Sequence, residues 1–396
     1  MPRVLMLNNE YPPFGGGTAT ANEHVLRELS NFPEFKITLV SAKDGKTMDR
    51  CHLADNIELI RVPVPKKNIH HASNSELLVY FFRATRVAMK LHRDECFDSC
   101  LAWCTVPAGT IAYFLYVIFK LPYIVRVSGP DIPGFEDRYR LVTSLLRPLL
   151  KRIWSRSQIV IAKCDEERDA LLPFVSPDHI RIIPNGAQRP AQPATYTRDI
   201  QATPCTFLCV GRLIERKGQR YLIEAAKTLS THHIPFQILL VGEGDSRMDY
   251  EQYAREIGVF EFITFVGSVS RDEMRNYYES SDVFVLPSQN EGMSLALLEA
   301  ASFGLPLIST RTGGASEIIE EGVSGFLIEK GNVVALTEAM TRFLENDSLR
   351  KSMRGKSLAR LENFQWDTIA LQYAEVLRNI SSLSIPNSPT ASATPV

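Results

Sequence analysis

The chain has 396 residues, 45% of them hydrophobic, which is enough for two domains of ordinary size that each bury a core. Its 44 Lys and Arg stand against 45 Asp and Glu, so a net charge of −1 removes any global electrostatic case for nucleic acid as a partner. Seven cysteines, an odd number scattered from Cys51 to Cys209, do not resemble a disulfide framework. With no secretory leader in front of them, they are expected to be reduced thiols in a cytoplasmic protein.

Arg3 to Asn8 reads as a strand that runs into Tyr11-Pro12-Pro13-Phe14-Gly15-Gly16-Gly17, and helix signals follow, with Val25, Leu26 and Leu29 on one face. Three successive glycines before a helix suit a phosphate, and a plain flexible turn explains them nearly as well. They do not match G-x-G-x-x-G, which argues against a dinucleotide. Lys36 to Ser41 and Ile57 to Val62 read as strands, Glu76 to His92 as a helix, and Phe97 to Trp103 as another strand. Ala108 to Val127 is one long apolar run interrupted by Lys120 and Pro122, so a buried helix followed by a buried strand accounts for it better than a membrane span. The turn-rich loop Ser128 to Phe135 follows. A basic helix then carries Arg138, Arg140, Arg147, Lys151, Arg152 and Arg156 with leucines between the charges. Such a face is either simply solvated or drawn to an anionic membrane surface or acidic acceptor. Ser157 to Ala162 and Ile180 to Ile183, ending at Pro184-Asn185-Gly186, complete the first half.

Ala187 to Pro204, with three prolines among Ala, Gln and Thr, reads as a linker. Beyond it strands and helices alternate again, from Thr206 to Val210 through Phe236 to Val241, Phe262 to Val266, Asp282 to Leu286 and Leu305 to Ser309. After the first of these strands, Gly211-Arg212-Leu213-Ile214-Glu215-Arg216-Lys217-Gly218 can bring Arg212 and Lys217 onto one anion, although two basic residues in a loop also serve as solvated surface. A guanidinium fork and a mobile ammonium suit a departing diphosphate. After Pro287, a loop ending in Glu291-Gly292 opens a helix through Ser294 to Ala301, with Glu299 eight residues beyond Glu291. A helix N-terminus carries roughly half a positive charge and free N–H donors, so it suits a phosphate, and Gly292 would let backbone approach it. Carboxylates flanking an anion are better placed to accept hydrogen bonds from hydroxyls, a ribose on one side and a sugar on the other. The same pair taken alone also fits a solvated helix face. No D-x-D, H-x-x-x-H or C-x-x-C occurs, so no metal site is indicated and protein cations would do a metal's work.

Gly211-Arg212 with Lys217-Gly218, Val241-Gly242-Glu243-Gly244, Phe265-Val266-Gly267, Asp282 to Ser288, Glu291 to Glu299, Gly313-Gly314, Glu317 and Gly325 together resemble the retaining glycosyltransferases of the glycogen-synthase-like, or group 1, superfamily of the family 4 type. The likeness covers the second half almost end to end. In the first half it rests on the glycine loop and on Pro184-Asn185-Gly186.

The resemblance implies an α/β protein of two Rossmann-like domains facing across a cleft, the GT-B architecture. Residues 1–190 would form an acceptor domain joined by a returning helix at about 364–380, residues 200–362 a nucleotide-sugar domain, and 381–396 a disordered tail. By the same resemblance Arg212 and Lys217 hold the diphosphate, Glu291 meets the hydroxyls of the transferred sugar and Glu299 the ribose. Gly16, Gly17, Gly211, Gly242, Gly292, Met293, Ser294 and Leu295 would contribute backbone to the donor. Many relatives carry a histidine after a first-domain strand where this chain has Ser128-Gly129-Pro130-Asp131, so Asp131, with Asn185, becomes an acceptor-side candidate beside a simple turn role.

The expected reaction is metal-free hexosyl transfer with retention, from a UDP- or GDP-sugar to a sugar, lipid-linked or small-molecule hydroxyl. No separate cofactor is expected. The basic stretch 138–156 leaves peripheral contact with an inner membrane surface open. A nucleotide-sugar epimerase or a non-catalytic sugar-binding scaffold would share the fold. The first would interconvert nucleotide-sugars without acceptor, and the second would be expected to lose Arg212, Lys217 or Glu291.

Overall fold

The structure is a computed structural model that describes residues 1–66, 72–133, 140–188 and 204–383. The chain divides into two compact units. One comprises Met1–Ala162, Ala170–Ile183 and the segment from Ala370, and the other comprises Lys163–Asp169 and Pro184–Ile369.

In its first half the chain runs β1 (Arg3–Leu7), α1 (Gly17–Leu29), β2 (Lys36–Lys43), β3 (Asp49–Ala54), β4 (Ile57–Pro63), α2 (Asn74–Glu95), β5 (Ser99–Ala102), α3 (Thr110–Phe119), β6 (Tyr123–Arg126), α4 (Arg140–Arg156), β7 (Ile159–Ala162), α5 (Asp165–Leu171) and β8 (Ile180–Ile182). The strands form one sheet in the order β3-β4-β2-β1-β5-β6-β7-β8. All pairs are parallel except β3 with β4. Val4 to Leu7 are fully buried because β1 is central and covered on both faces. Leu5 and Leu7 pack with Tyr80, Ala84 and Ala88 of α2, Ile111 and Leu115 of α3 and Trp154 of α4. On the opposite face Met6 meets Asn22 of α1. Helix α2 starts where it does because Ser73 and Glu76 form a reciprocal capping box. The polar edge strand β3 escapes sequence reading because its side chains are mostly exposed and carry no apolar alternation.

The second unit continues with β9 (Cys205–Val210), α6 (Gln219–Leu229), β10 (Phe236–Val241), α7 (Arg247–Glu256), β11 (Ile263–Gly267), α8 (Arg271–Glu279), β12 (Val283–Leu286), α9 (Leu295–Ser302), β13 (Leu307–Thr310), α10 (Ala315–Ile318), β14 (Gly325–Ile328), α11 (Val333–Glu345), α12 (Asp347–Met353) and the start of α13 (Trp366–Leu383). Its parallel sheet has the order β11-β10-β9-β12-β13-β14. The order reverses between β9 and β12, so the loops leaving these two neighbours turn to opposite sides and open a crevice at their carboxyl ends. Helices α6 and α11 cover one face with Leu222, Ile223, Leu336 and Phe343, while α9 covers the other with Leu297 and Leu298.

The sequence reading assigns 1–190 to the first domain, whereas Lys163–Asp169 and everything from Pro184 group with the second unit. The reason lies in α5, whose acidic first turn bonds to second-unit loops: the Glu166 carboxylate accepts the Gly313 N–H, and Asp165 N donates to Glu317 Oε1 at 3.2 Å. The last helix is likewise shared, with Trp366–Ile369 in the second unit and Ala370 onward in the first. Most of the expected linker (189–203), Arg138 and the tail from 384 lie outside the described residues. Among the described residues no helix is long and apolar enough to cross a membrane. The seven cysteines are free, and burial pushes the Cys209 thiol up to about 12.

Candidate active site

The site is built at the reversal between β9 and β12. After β9 the chain makes a short turn at Glu215–Lys217 that reaches back to the loop following β12. Gln289 N donates to Arg216 O at 2.8 Å, and Arg216 Nη1 donates to Asn290 O at 3.0 Å. That clasp delivers Lys217 to Glu291, with Nζ to Oε1 at 2.5 Å, and the Ser288 hydroxyl donates to the same oxygen at 2.9 Å. Arg212, half-buried in the same loop, has no carboxylate partner among the described residues. A cation without a counter-charge beside a second one is an arrangement that favours an anion.

Burial pushes the Glu291 carboxyl up, but the charges of Lys217 and Arg216 and the hydrogen bonds from Lys217 and Ser288 outweigh it and hold the group below the ordinary glutamate value. The sign is that of a depressed acid. The stability carried by the pair is present above the unfolded value, about 4.3, and is lost as pH falls through the lower folded value. An acid titration followed by carboxyl NMR is expected to show Glu291 protonating after the exposed glutamates. Protonation ahead of them would contradict the ion pair.

The loop carrying Glu291 is fixed in large part through its carbonyls. Leu286 O accepts from Ser309 Oγ at 3.2 Å, Ser288 O from Thr310 Oγ1 at 2.5 Å, Gly292 O from Gly314 N at 2.7 Å and Met293 O from Asn185 Nδ2 at 2.8 Å. Ser294 then caps α9, its side chain accepting from Leu297 N at 3.4 Å, and no acidic residue lies in the first turn. Gly313, at φ +41°, lies directly on the carbonyls of Glu291 and Gly292, where no side chain fits. Gly313→Ala is therefore expected to cost about 2 kcal/mol in a urea melt, through strain and displacement of this loop. An unchanged midpoint would show that the loop tolerates the shift.

Several expected site residues are placed differently from the sequence reading. Gly292 does not open space for a ligand, because a side chain there would run into Glu167 and Lys163, the latter with Cε at 2.9 Å. Lys163 and Glu167 are a buried ion pair, and Glu167 also accepts the Lys163 N–H at 2.8 Å. The strand end before α5 gave no signal for this support. Asn185, expected on the acceptor side, is buried in the second unit and holds Met293. The amides of Gly211 and Gly242 are engaged, by Val241 O and Gly267 O, both at 2.9 Å. Glu299 accepts from the Tyr278 hydroxyl at 2.8 Å, and burial raises its pKa.

Gly16 precedes α1, which has no side-chain cap and no acid in its first turn, and a Cβ on Gly16 would meet open space. Gly17 is the first helical residue. Asp131 Oδ2 accepts from Thr105 N at 2.8 Å and Ser128 N at 2.9 Å, so this carboxylate organises its loop.

A doubly wound sheet pair with cations and a carboxylate at the second sheet's reversal defines the GT-B class of glycosyltransferases. The chain belongs to the group 1 glycosyltransferases. The model of the family described as glycosyl transferases group 1 matches residues 197–359. An uncharacterized glycosyltransferase of Methanocaldococcus jannaschii is 32% identical over 275 residues, 66% of this chain and 70% of that one. A GDP-mannose-dependent alpha-(1-6)-phosphatidylinositol monomannoside mannosyltransferase of Mycobacterium tuberculosis is 28% identical over 400 residues, 96% of this chain and 98% of that one. The fold is that of the sucrose-phosphate synthase of Thermosynechococcus elongatus, with a TM-score of 0.81 at 20% identity over 97% of this chain and 100% of that one. Against two other curated relatives the chain spans about half their length, 48% in each case.

Proposed function

We propose that this protein transfers a hexose from a UDP- or GDP-sugar to a hydroxyl acceptor, with retention of anomeric configuration and without a metal. The observation that carries the proposal is the Lys217–Glu291 pair at the sheet reversal, with Arg212 in the same loop as Lys217 and a helix start free of acid beyond Glu291. Arg212 and Lys217 would neutralise the diphosphate as the bond from the sugar's anomeric carbon to its phosphate oxygen breaks. The acceptor oxygen would form its bond to that carbon on the same face, and its proton would pass to the departing phosphate. Stabilising charge that develops on the leaving group is worth several kcal/mol in a closed site. The loop after β9 itself offers these two cations to the diphosphate.

Glu291, held ionised, would accept hydrogen bonds from the sugar hydroxyls once the donor separates it from Lys217. Glu299 would accept from the ribose, with Tyr278 fixing its second oxygen. Glu299→Ala is expected to raise the donor KM about tenfold with a smaller change in kcat, as loss of a ground-state hydrogen bond does. An unchanged KM would take Glu299 out of the donor site.

The Mycobacterium tuberculosis relative is named for GDP-mannose and a phosphatidylinositol mannoside, which supports a guanosine donor and a lipid-linked acceptor here. Gly16, Gly17 and Asp131 remain the first-unit candidates for donor and acceptor contact. The stereochemical test is the proton coupling constant at the anomeric centre of the first product formed. The donor's own anomeric configuration is expected, and an inverted product would sink the retaining mechanism.

A further inference from the structure

Helices α2, α3 and α4 pack on one face of the first sheet. On α2 one stripe runs Leu78, Phe82, Arg86, Lys90 and Arg93, all exposed, with Phe82 63% accessible. The stripe follows from spacings of three and four residues along a helix. Beside it α3 exposes Phe114, Val117 and Ile118, and Ile118 is 50% accessible. The two helices meet there, since Phe81 lies 5.3 Å from Phe82 and 5.9 Å from Phe114, ring centre to ring centre. Lys120 ends α3 and its ammonium sits 5.7 Å from the Tyr116 ring. Helix α4 also carries exposed Lys151 and Arg152.

Exposed apolar side chains beside cations mark this face. On α6, α7 and α8 three arginines are matched four residues away by glutamates, Arg220–Glu224, Arg247–Glu251 and Arg275–Glu279. Among the described residues Arg86, Lys90 and Lys120 have no carboxylate partner, and α3 contains no acid at all. Aromatic and aliphatic side chains beside unneutralised cations suit the layer between acidic headgroups and acyl chains. A second copy of the chain fits less well, because a two-fold contact would set one cationic stripe against another.

We infer that the outer face of α2 and α3 docks the protein on an anionic lipid bilayer, with Phe82, Phe114 and Ile118 entering the headgroup layer and Arg86, Lys90 and Lys120 held over acidic headgroups. The inference stands apart from sugar transfer, so its test needs neither donor nor acceptor. The full chain is sedimented with vesicles of phosphatidylcholine alone and of phosphatidylcholine with phosphatidylglycerol. Binding to the anionic vesicles only, weakened by salt, is expected. The double variant Arg86→Glu with Lys90→Glu, and separately Phe82→Ser with Ile118→Ser, should each weaken it about tenfold or more. These side chains are exposed, so thermal melts of both variants should match the parent. Equal sedimentation with both vesicle types, or variants that bind like the parent, would overturn the inference. So would a lipid-free dimer that Phe82→Ser dissociates, since the face would then belong to a second copy.

Discussion

Replacing Lys217 with alanine is expected to lower kcat by about a hundredfold to a thousandfold while the chain still folds. The size follows from what Lys217 does in the proposed reaction, where it meets charge that appears only as the diphosphate leaves; loss of one such stabilising contact costs rates of that order. A second consequence comes from the resting geometry. Lys217 and Glu291 are 15% and 12% exposed and 2.5 Å apart, so the variant leaves a largely buried carboxylate without its strongest counter-charge. Stability should fall by about 2 kcal/mol, less than the roughly 3–5 kcal/mol seen when a fully buried pair is broken, because solvent and Ser288 still reach Glu291. The Glu291 pKa should rise in the same variant. Steady-state kinetics and urea melts on one preparation separate the two effects. Near-normal kcat would remove Lys217 from the leaving-group role whatever happened to stability.

Glu167→Ala is expected to be the most destabilising single change near the site, by about 3 kcal/mol or more, although Glu167 is far from Glu291 in sequence. Its side chain is fully buried, holds the Lys163 ammonium and the Lys163 N–H, and fills the space next to Gly292. Alanine there leaves a buried ammonium without its carboxylate and a void against the donor loop. The donor KM should rise as the loop loosens. Replacing both partners together, Lys163→Met with Glu167→Leu, should recover most of the stability, because the loss comes from an uncompensated charge. If Glu167→Ala melted like the parent, or the double variant were no better than the single one, the ion pair would not be what supports Gly292.

Much of the second unit was legible in the sequence because its chemistry is local. Arg212 and Lys217 stand five residues apart in one loop, and Glu291 lies shortly before a helix start, so spacing made them candidates and the family resemblance gave them roles. The pairing of Lys217 with Glu291 was not legible, because it depends on β9 and β12 being neighbours and on the order of strands reversing there. Gly292 was misread for a related reason. A glycine before a helix says that something lies close, and here it is the Lys163–Glu167 pair contributed from more than a hundred residues away. Asn185 misled in the same way, since its position before the linker hides that its amide closes the loop at Met293. On the first unit the buried helix–strand reading of the long apolar run corresponds to α3 and β6. The outward residues of α3 are apolar too, and periodicity cannot tell a buried side from an unmatched exposed one when both are greasy.

The most direct test is a calorimetric titration of UDP- and GDP-sugars in EDTA, with the parent chain and with the double variant Arg212→Ala, Lys217→Ala. One nucleotide class should bind the parent, and the double variant should bind it about a hundredfold more weakly or worse, since two charge-assisted contacts are lost. No binding by any nucleotide-sugar, or binding that survives loss of both cations, would contradict a donor site at the reversal between β9 and β12.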